Sequence, residues 1–197
     1  MGGPGRAFAR GRVIPDLVLL DRDGTISAPA VGSRYVMTAA DAELLPGAAT
    51  AVGSLNRLSV PVVVVTNQRG LATGDLTSSQ VDEVHEGIRA ALAAAGAHID
   101  GWYVCPHDAG VCQCRKPKPG LLARALEERP GAAIARCVVI GDSESDVLAG
   151  QALGISGILL SADARVDTVA IAVHASLPEA VAWLLRNDVD LVSGNVR

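Results

Sequence analysis

Aromatic residues are scarce, at 3% of 197 residues with a single Phe. A core of stacked rings is excluded, so the interior has to be built from Val, Leu, Ile and Ala. No apolar run approaches the ~20 residues that cross a bilayer, which excludes a membrane-spanning helix. No basic stripe stands out and the formal net charge is −4. That argues against nucleic acid as a partner. The first fifteen residues, MGGPGRAFARGRVIP, lack the apolar middle of a signal peptide. They read as a flexible leader over 1–15 on a cytoplasmic protein. Apolar residues reach 49% and charged residues 19%, the proportions of a globular chain. With no internal repeat, 16–197 reads as a single domain, and a monomer is the default for its size.

Short apolar runs alternate with longer helical patterns. Strands are expected at 18–20, 62–65, 102–104, 137–140 and 155–160. Four consecutive valines at 62–65 mark a strand covered on both faces. Helices are expected at 44–58 (opening at Pro46), 77–95, 119–128, 144–153 and 178–186. Thr77 or Ser78 can cap the long one and Gly96 can end it. This alternation implies an α/β fold: a mostly parallel sheet with helices on both faces. Ligands of such folds sit beyond the carboxyl ends of the strands. Polar clusters do follow the strands: Asp21 and Asp23, then Thr66, Asn67 and Gln68, then Cys105 and His107, then Asp142 and Asp146.

Asp21 and Asp23 stand two apart in the segment Leu20-Asp21-Arg22-Asp23-Gly24-Thr25. In extended chain they point the same way. With Asp142 they form a set of carboxylates that repel one another unless a hard cation is present, and Mg²⁺ suits such oxygens. A carboxylate can attack phosphorus to give an acyl phosphate. Lys116 and the Thr66 hydroxyl are donors able to steady the charge that grows. A second acid, Asp23, can protonate a leaving alkoxide and then activate water.

Three of the four cysteines fall in Cys105-Pro106-His107-Asp108-Ala109-Gly110-Val111-Cys112-Gln113-Cys114. Without a signal peptide these read as metal ligands rather than disulfides. Cys105, His107, Cys112 and Cys114 make a closed Cys₃His set of the kind that holds structural Zn²⁺. A Cys112–Cys114 disulfide across one residue would be strained. Arg115 and Lys116 follow directly, between this loop and Pro117. Cys137 lies in a strand and reads as a core thiol. His85, His98 and His174 read as surface or ordinary packed residues.

Asp21-Arg22-Asp23-Gly24-Thr25, Thr66-Asn67, Lys116, and Gly141-Asp142 with Asp146 together resemble the four ordered motifs of the haloacid dehalogenase (HAD) superfamily. The resemblance implies a Rossmann-like core, with Asp21 as nucleophile and Asp23 as acid/base. It also implies phosphate stabilisation by Thr66 and Lys116, and Mg²⁺ on Asp21, the Asp23 carbonyl and Asp142. Asp146 would orient Lys116 or a metal-bound water. Cys-Pro-His followed by Cys-x-Cys-Arg-Lys-Pro is similar to the branch of the heptose 1,7-bisphosphate and histidinol-phosphate phosphatases, where a zinc loop at the rim replaces a cap domain. By position, Arg115, Asn67, Gln68 and the stretch Ser33-Arg34-Tyr35 would contact a small phosphorylated metabolite.

Three features depart from that branch. Ser27 stands where Asn is usual, and Ala28 to Val31 are extra. Ser143 replaces the usual Lys of the fourth motif, removing one positive charge near the phosphate. The short zinc loop suits histidinol phosphate, whereas Lys118-Pro119-Gly120 opening a helix is more like the heptose type. The expected function is hydrolysis of the C7 phosphate of D-glycero-D-manno-heptose 1,7-bisphosphate. Histidinol phosphate is the alternative, and a non-catalytic zinc-stabilised binding module the lesser one.

Overall fold

The computed structural model describes residues 14–30, 32 and 34–186, with the backbone of a terminal strand pair at 189–190 and 195–196. Most of the expected leader, and Ser33, lie outside the described residues. In chain order the elements are β1 (Leu17–Leu20), α1 (Ala48–Asn56), β2 (Val62–Asn67), α2 (Gly70–Thr73) and α3 (Ser78–Ala94). There follow β3 (Gly101–Cys105), α4 (Gly120–Glu127), β4 (Cys137–Gly141), α5 (Glu144–Gln151), β5 (Ser156–Leu160), β6 (Ala172–His174) and α6 (Leu177–Arg186). The short strands β7 (Val189–Asp190) and β8 (Asn195–Val196) pair antiparallel.

The main sheet runs β3-β2-β1-β4-β5-β6, with every pairing parallel. Its central strands are almost wholly apolar, as strands covered on both faces must be. Alternate side chains serve opposite layers. Val18, Leu20, Val62, Val64, Val138 and Ile140 join a core closed by α1, α3 and α6. Leu17, Leu19, Val63, Val65, Cys137 and Val139 join a second core closed by α4 and α5. Cys137 is thus the core thiol anticipated.

Two helices begin on reciprocal caps. Thr77 accepts from Gln80 N–H while the Gln80 side chain accepts from Thr77 N–H. Ser143 and Asp146 share the same kind of box at α5, which satisfies N–H groups a helix start leaves bare. α1 starts later than Pro46 suggests. Gly47 sits at φ +76°, where no helix can pass, so the first turn opens at Ala48. A Cβ at Gly47 would also lie 2.7 Å from Pro178, because α1 packs closely on the start of α6.

From β1 the chain winds through β2 to β3 on one side, while β4 leads through β5 to β6 on the other. The strand order therefore reverses between β1 and β4, and this switch point opens a crevice beyond their carboxyl ends. None of the described helices is long and apolar enough to cross a membrane.

Candidate active site

Asp21 is the first residue past β1, and its N–H donates to the Ile140 carbonyl at 3.0 Å. That bond ties the turn to β4, which delivers Asp142 one residue past its own end. Gly24, at φ +82°, lets the chain double back under Asp142. A Cβ there would stand 2.0 Å from Asp142 Oδ2. Oxygens of Asp21, Asp142 and Asp146 lie within 4.8 Å of one another. Partial burial, and next the charge of Asp21, push the Asp142 carboxyl up to about 6. A bound divalent cation would favour the ionised form of these carboxylates.

Lys116 lies against this cluster. Its ammonium reaches Asp21 Oδ1 at 2.8 Å, Asp146 Oδ1 at 2.5 Å and the Val65 carbonyl at 2.6 Å. Asp21 and Val65 take two hydrogen bonds and Asp146 pairs by charge, around a side chain only 2% exposed. Burial by itself would lower the ammonium pKa, but the charges of Asp21 and Asp146 outweigh it and the net shift is upward. Asn67 clamps the Lys116 backbone. Its Oδ1 accepts from Lys116 N–H and its Nδ2 donates to the Lys116 carbonyl, both at 3.1 Å. Asn67, the last residue of β2, thus fixes where the lysine starts.

Asp23 is held from two sides. Arg22 forks onto it, with Nε to Oδ1 at 3.0 Å and Nη2 to Oδ2 at 2.7 Å. Gln68 Nε2 donates to Asp23 Oδ2 at 3.1 Å and to Thr66 Oγ1 at 2.9 Å. Because Thr66 Oγ1 accepts that bond, its own hydrogen is left to point into the cleft. Asp21, Asp23, Thr66, Asn67, Lys116 and Ser143 line one opening of about 190 Å³.

The other anticipated contacts are placed differently. Gln68 is 1% exposed and spends its amide on Asp23 and Thr66, so it stands behind the cleft wall rather than on it. Arg34 is exposed, and Tyr35 lines a separate cavity with Met37 and Asp41. Arg115 is half-buried, and its Nη1 is buried without a partner among the described residues. Ser143 caps α5, which gives a local reason for a serine at that position. Arg22 was given no role of its own by sequence reasoning, and His85, read as a surface or ordinary packed residue, is buried. The signal for His85 was present: Val81, Val84, His85, Ile88 and Leu92 share one face of α3, and all are buried.

The cysteine–histidine loop leaves β3 at Cys105. Cys105 Sγ lies 3.7 Å from Cys112 Sγ, 3.3 Å from Cys114 Sγ and 3.8 Å from His107 Nδ1. Cys114 Sγ and His107 Nδ1 are 3.2 Å apart. All four cysteines are free of disulfides. Ligands about 2.0–2.3 Å from a tetrahedral ion stand roughly 3.5 Å from one another, so these four atoms fit around one metal ion. Burial pushes the Cys105 thiol up to about 12; binding a cation would overcome that penalty. Arg115 N–H donates to Cys112 Sγ at 3.4 Å. The loop is also tied to the start of α2 by Arg69, whose Nη2 meets Asp108 Oδ2 at 3.2 Å.

The sequence family described as HAD-hydrolase-like matches residues 113–180. A D-glycero-alpha-D-manno-heptose-1,7-bisphosphate 7-phosphatase of Mycobacterium bovis is 41% identical over 131 residues, which is 66% of this chain and 68% of that one. A D-glycero-beta-D-manno-heptose-1,7-bisphosphate 7-phosphatase of Salmonella typhi is 32% identical over 184 residues, 89% and 93% of the two chains. Among solved structures, the D,D-heptose 1,7-bisphosphate phosphatase of B. bronchiseptica, complexed with magnesium and phosphate, matches with a TM-score of 0.77. Its identity is 29%, with 87% of this chain and 98% of that chain covered. The chain belongs to the HAD superfamily of hydrolases, in the branch of the heptose bisphosphate phosphatases.

Proposed function

We propose that this chain is a Mg²⁺-dependent phosphatase that removes the C7 phosphate of D-glycero-D-manno-heptose 1,7-bisphosphate through an aspartyl phosphate on Asp21. The observation that carries the reading is the contact of Lys116 with Asp21 at 2.8 Å, inside a cleft that also holds Asp23 and Thr66. A nucleophile, a proton carrier and two donors for the phosphoryl oxygens thus share one opening.

The chemistry runs in two steps. An Asp21 carboxylate oxygen forms a bond to phosphorus as the ester P–O bond breaks. The electron pair stays on the leaving oxygen, which takes a proton from Asp23. Water then attacks phosphorus while its proton passes to Asp23, and the bond to Asp21 breaks to restore the carboxylate. Lys116 and Thr66 hold the equatorial oxygens, and one such donor is worth roughly 10²–10³ in rate.

The donor set fits Mg²⁺. Among the described residues, the Asp21, Asp142 and Asp146 carboxylates face Lys116, an excess of two negative charges that a divalent cation balances. Asp21, Asp142 and the Asp23 carbonyl would hold it, and when bound it neutralises phosphate charge so that an anion can attack. The cysteine–histidine set fits a structural Zn²⁺ with no open position. Zinc there would order the entry to Arg115, whose unpartnered Nη1 is suited to the anionic far end of the substrate.

The relatives of both the alpha and the beta type act on heptose 1,7-bisphosphate by name, and this supports that substrate over histidinol phosphate. The test is phosphate release, with Mg²⁺, from both heptose bisphosphate anomers, from histidinol phosphate and from an aryl phosphate. The reading expects one heptose anomer to lead. A lead for histidinol phosphate would overturn the substrate and keep the chemistry; release from none would overturn both.

A further inference from the structure

Arg22 is buried to 1% exposure, yet it carries a full charge and lies at the rim between the two aspartates at the first strand end. Burying a guanidinium is costly unless each face finds a partner. Two partners are present. One is Asp23, met by the two-bond fork. The other is His85 on α3, whose Nε2 lies 3.2 Å from Arg22 Nη1.

The guanidinium can only donate, so His85 Nε2 must accept and the ring is neutral. Burial, then the charges of Arg22 and Arg89, lower the His85 pKa to about 3, in keeping with this geometry. The ring is fixed in turn. It packs on Trp102 of β3 with centroids 4.4 Å apart, and Arg89 covers the same indole at 5.0 Å.

We propose that Arg22 is a positioning residue for Asp23, and that His85 is the neutral backstop that keeps the Arg22 fork turned toward it. This rests on the phosphatase reading above. The fork holds both Asp23 oxygens in one plane. Asp23 Oδ2 receives two donors, from Arg22 and Gln68, whereas Oδ1 receives the Arg22 Nε bond and only a long 3.5 Å approach from Ser27 Oγ. Oδ1 is therefore the oxygen with room for the travelling proton. A lysine would keep the charge but lose the fork.

The consequence is selective. A sugar phosphate releases a basic alkoxide that needs the proton from Asp23, whereas p-nitrophenyl phosphate releases a weakly basic phenolate that does not. kcat/KM covers binding and the first chemical step, so it separates the two. General acid catalysis contributes roughly 10²–10⁴-fold. Arg22→Lys should therefore lower kcat/KM for the heptose bisphosphate at least ~30-fold and for p-nitrophenyl phosphate no more than ~3-fold.

Because Arg22 is buried, His85 variants give a second route. His85→Leu removes the acceptor and should lower kcat/KM for the sugar phosphate ~10-fold, with the aryl ester within ~2-fold. His85→Gln restores a neutral acceptor and should recover most of the loss. Equal losses on both esters, or no recovery in His85→Gln relative to His85→Leu, would overturn the positioning role while leaving the phosphatase reading intact. Wild-type protein that releases neither phosphate would overturn that reading and the positioning role with it.

Discussion

The carboxylate cluster and the cysteine–histidine cluster share one rim but are assembled by different means. Asp21 and Asp142 are far apart in sequence, and only the pairing of β1 with β4 brings them together. Cys105, His107, Cys112 and Cys114 fall within ten residues, and their loop has little core of its own. The first set is made by the fold. The second supplies order to its own segment through the ion it takes. Damage to the carboxylates should therefore strike chemistry and spare stability, and damage to the thiolates should do the reverse.

The largest expected effect is at Asp21. Asp21→Asn should lower turnover by at least ~10⁴-fold while leaving the circular dichroism spectrum and zinc content unchanged. Gly24→Ala comes next. Its Cβ would invade the space of Asp142 Oδ2 and strain a backbone at φ +82°, so activity should fall ~10²-fold and the Mg²⁺ needed for half-activation should rise. Cys112→Ser tests the other side. Zinc measured by mass spectrometry should be lost, the melting temperature should drop by several degrees, and KM should rise more than kcat falls because Arg115 and Lys116 hang from this loop. A kcat loss equal to that of Asp21→Asn would break the contrast.

Two smaller effects sharpen it. Folded His85 has a pKa of about 3, against about 6.5 in the unfolded chain. The unfolded state binds the extra proton between these values, so His85 contributes stability above pH 6.5 and loses it as pH falls toward 3. In urea titrations, the stability gap between wild type and His85→Gln should therefore shrink from pH 7 to pH 4. Ser143→Ala removes a helix cap and should cost about 1 kcal/mol in urea unfolding, with little change in zinc content.

Much of this arrangement was legible in the sequence, because the strands are uninterrupted apolar runs and each ends in polar residues. Legibility failed where the signal was short or three-dimensional. α2 is a single turn, and β6 is a three-residue edge strand with no fully buried face. The start of α1 depended on the φ of Gly47, not on Pro46. Asn67 lines the cleft but also clamps the Lys116 backbone, and Gln68 braces Asp23 and Thr66 from behind; neither bond network could be read from the sequence. Arg22 stands in a motif between two aspartates, and only the position of α3 reveals its partner. A shared fold does not by itself fix a substrate, so the choice of heptose bisphosphate leans on the relatives.

The most direct test of the account is chemical trapping. Acyl phosphates are reduced by borohydride, so quenching the protein during turnover of heptose bisphosphate should convert one aspartate to homoserine. Peptide mass spectrometry should find that homoserine at position 21, and only when both substrate and Mg²⁺ are present. Conversion at another aspartate, or turnover with no conversion at all, would contradict Asp21 as the nucleophile.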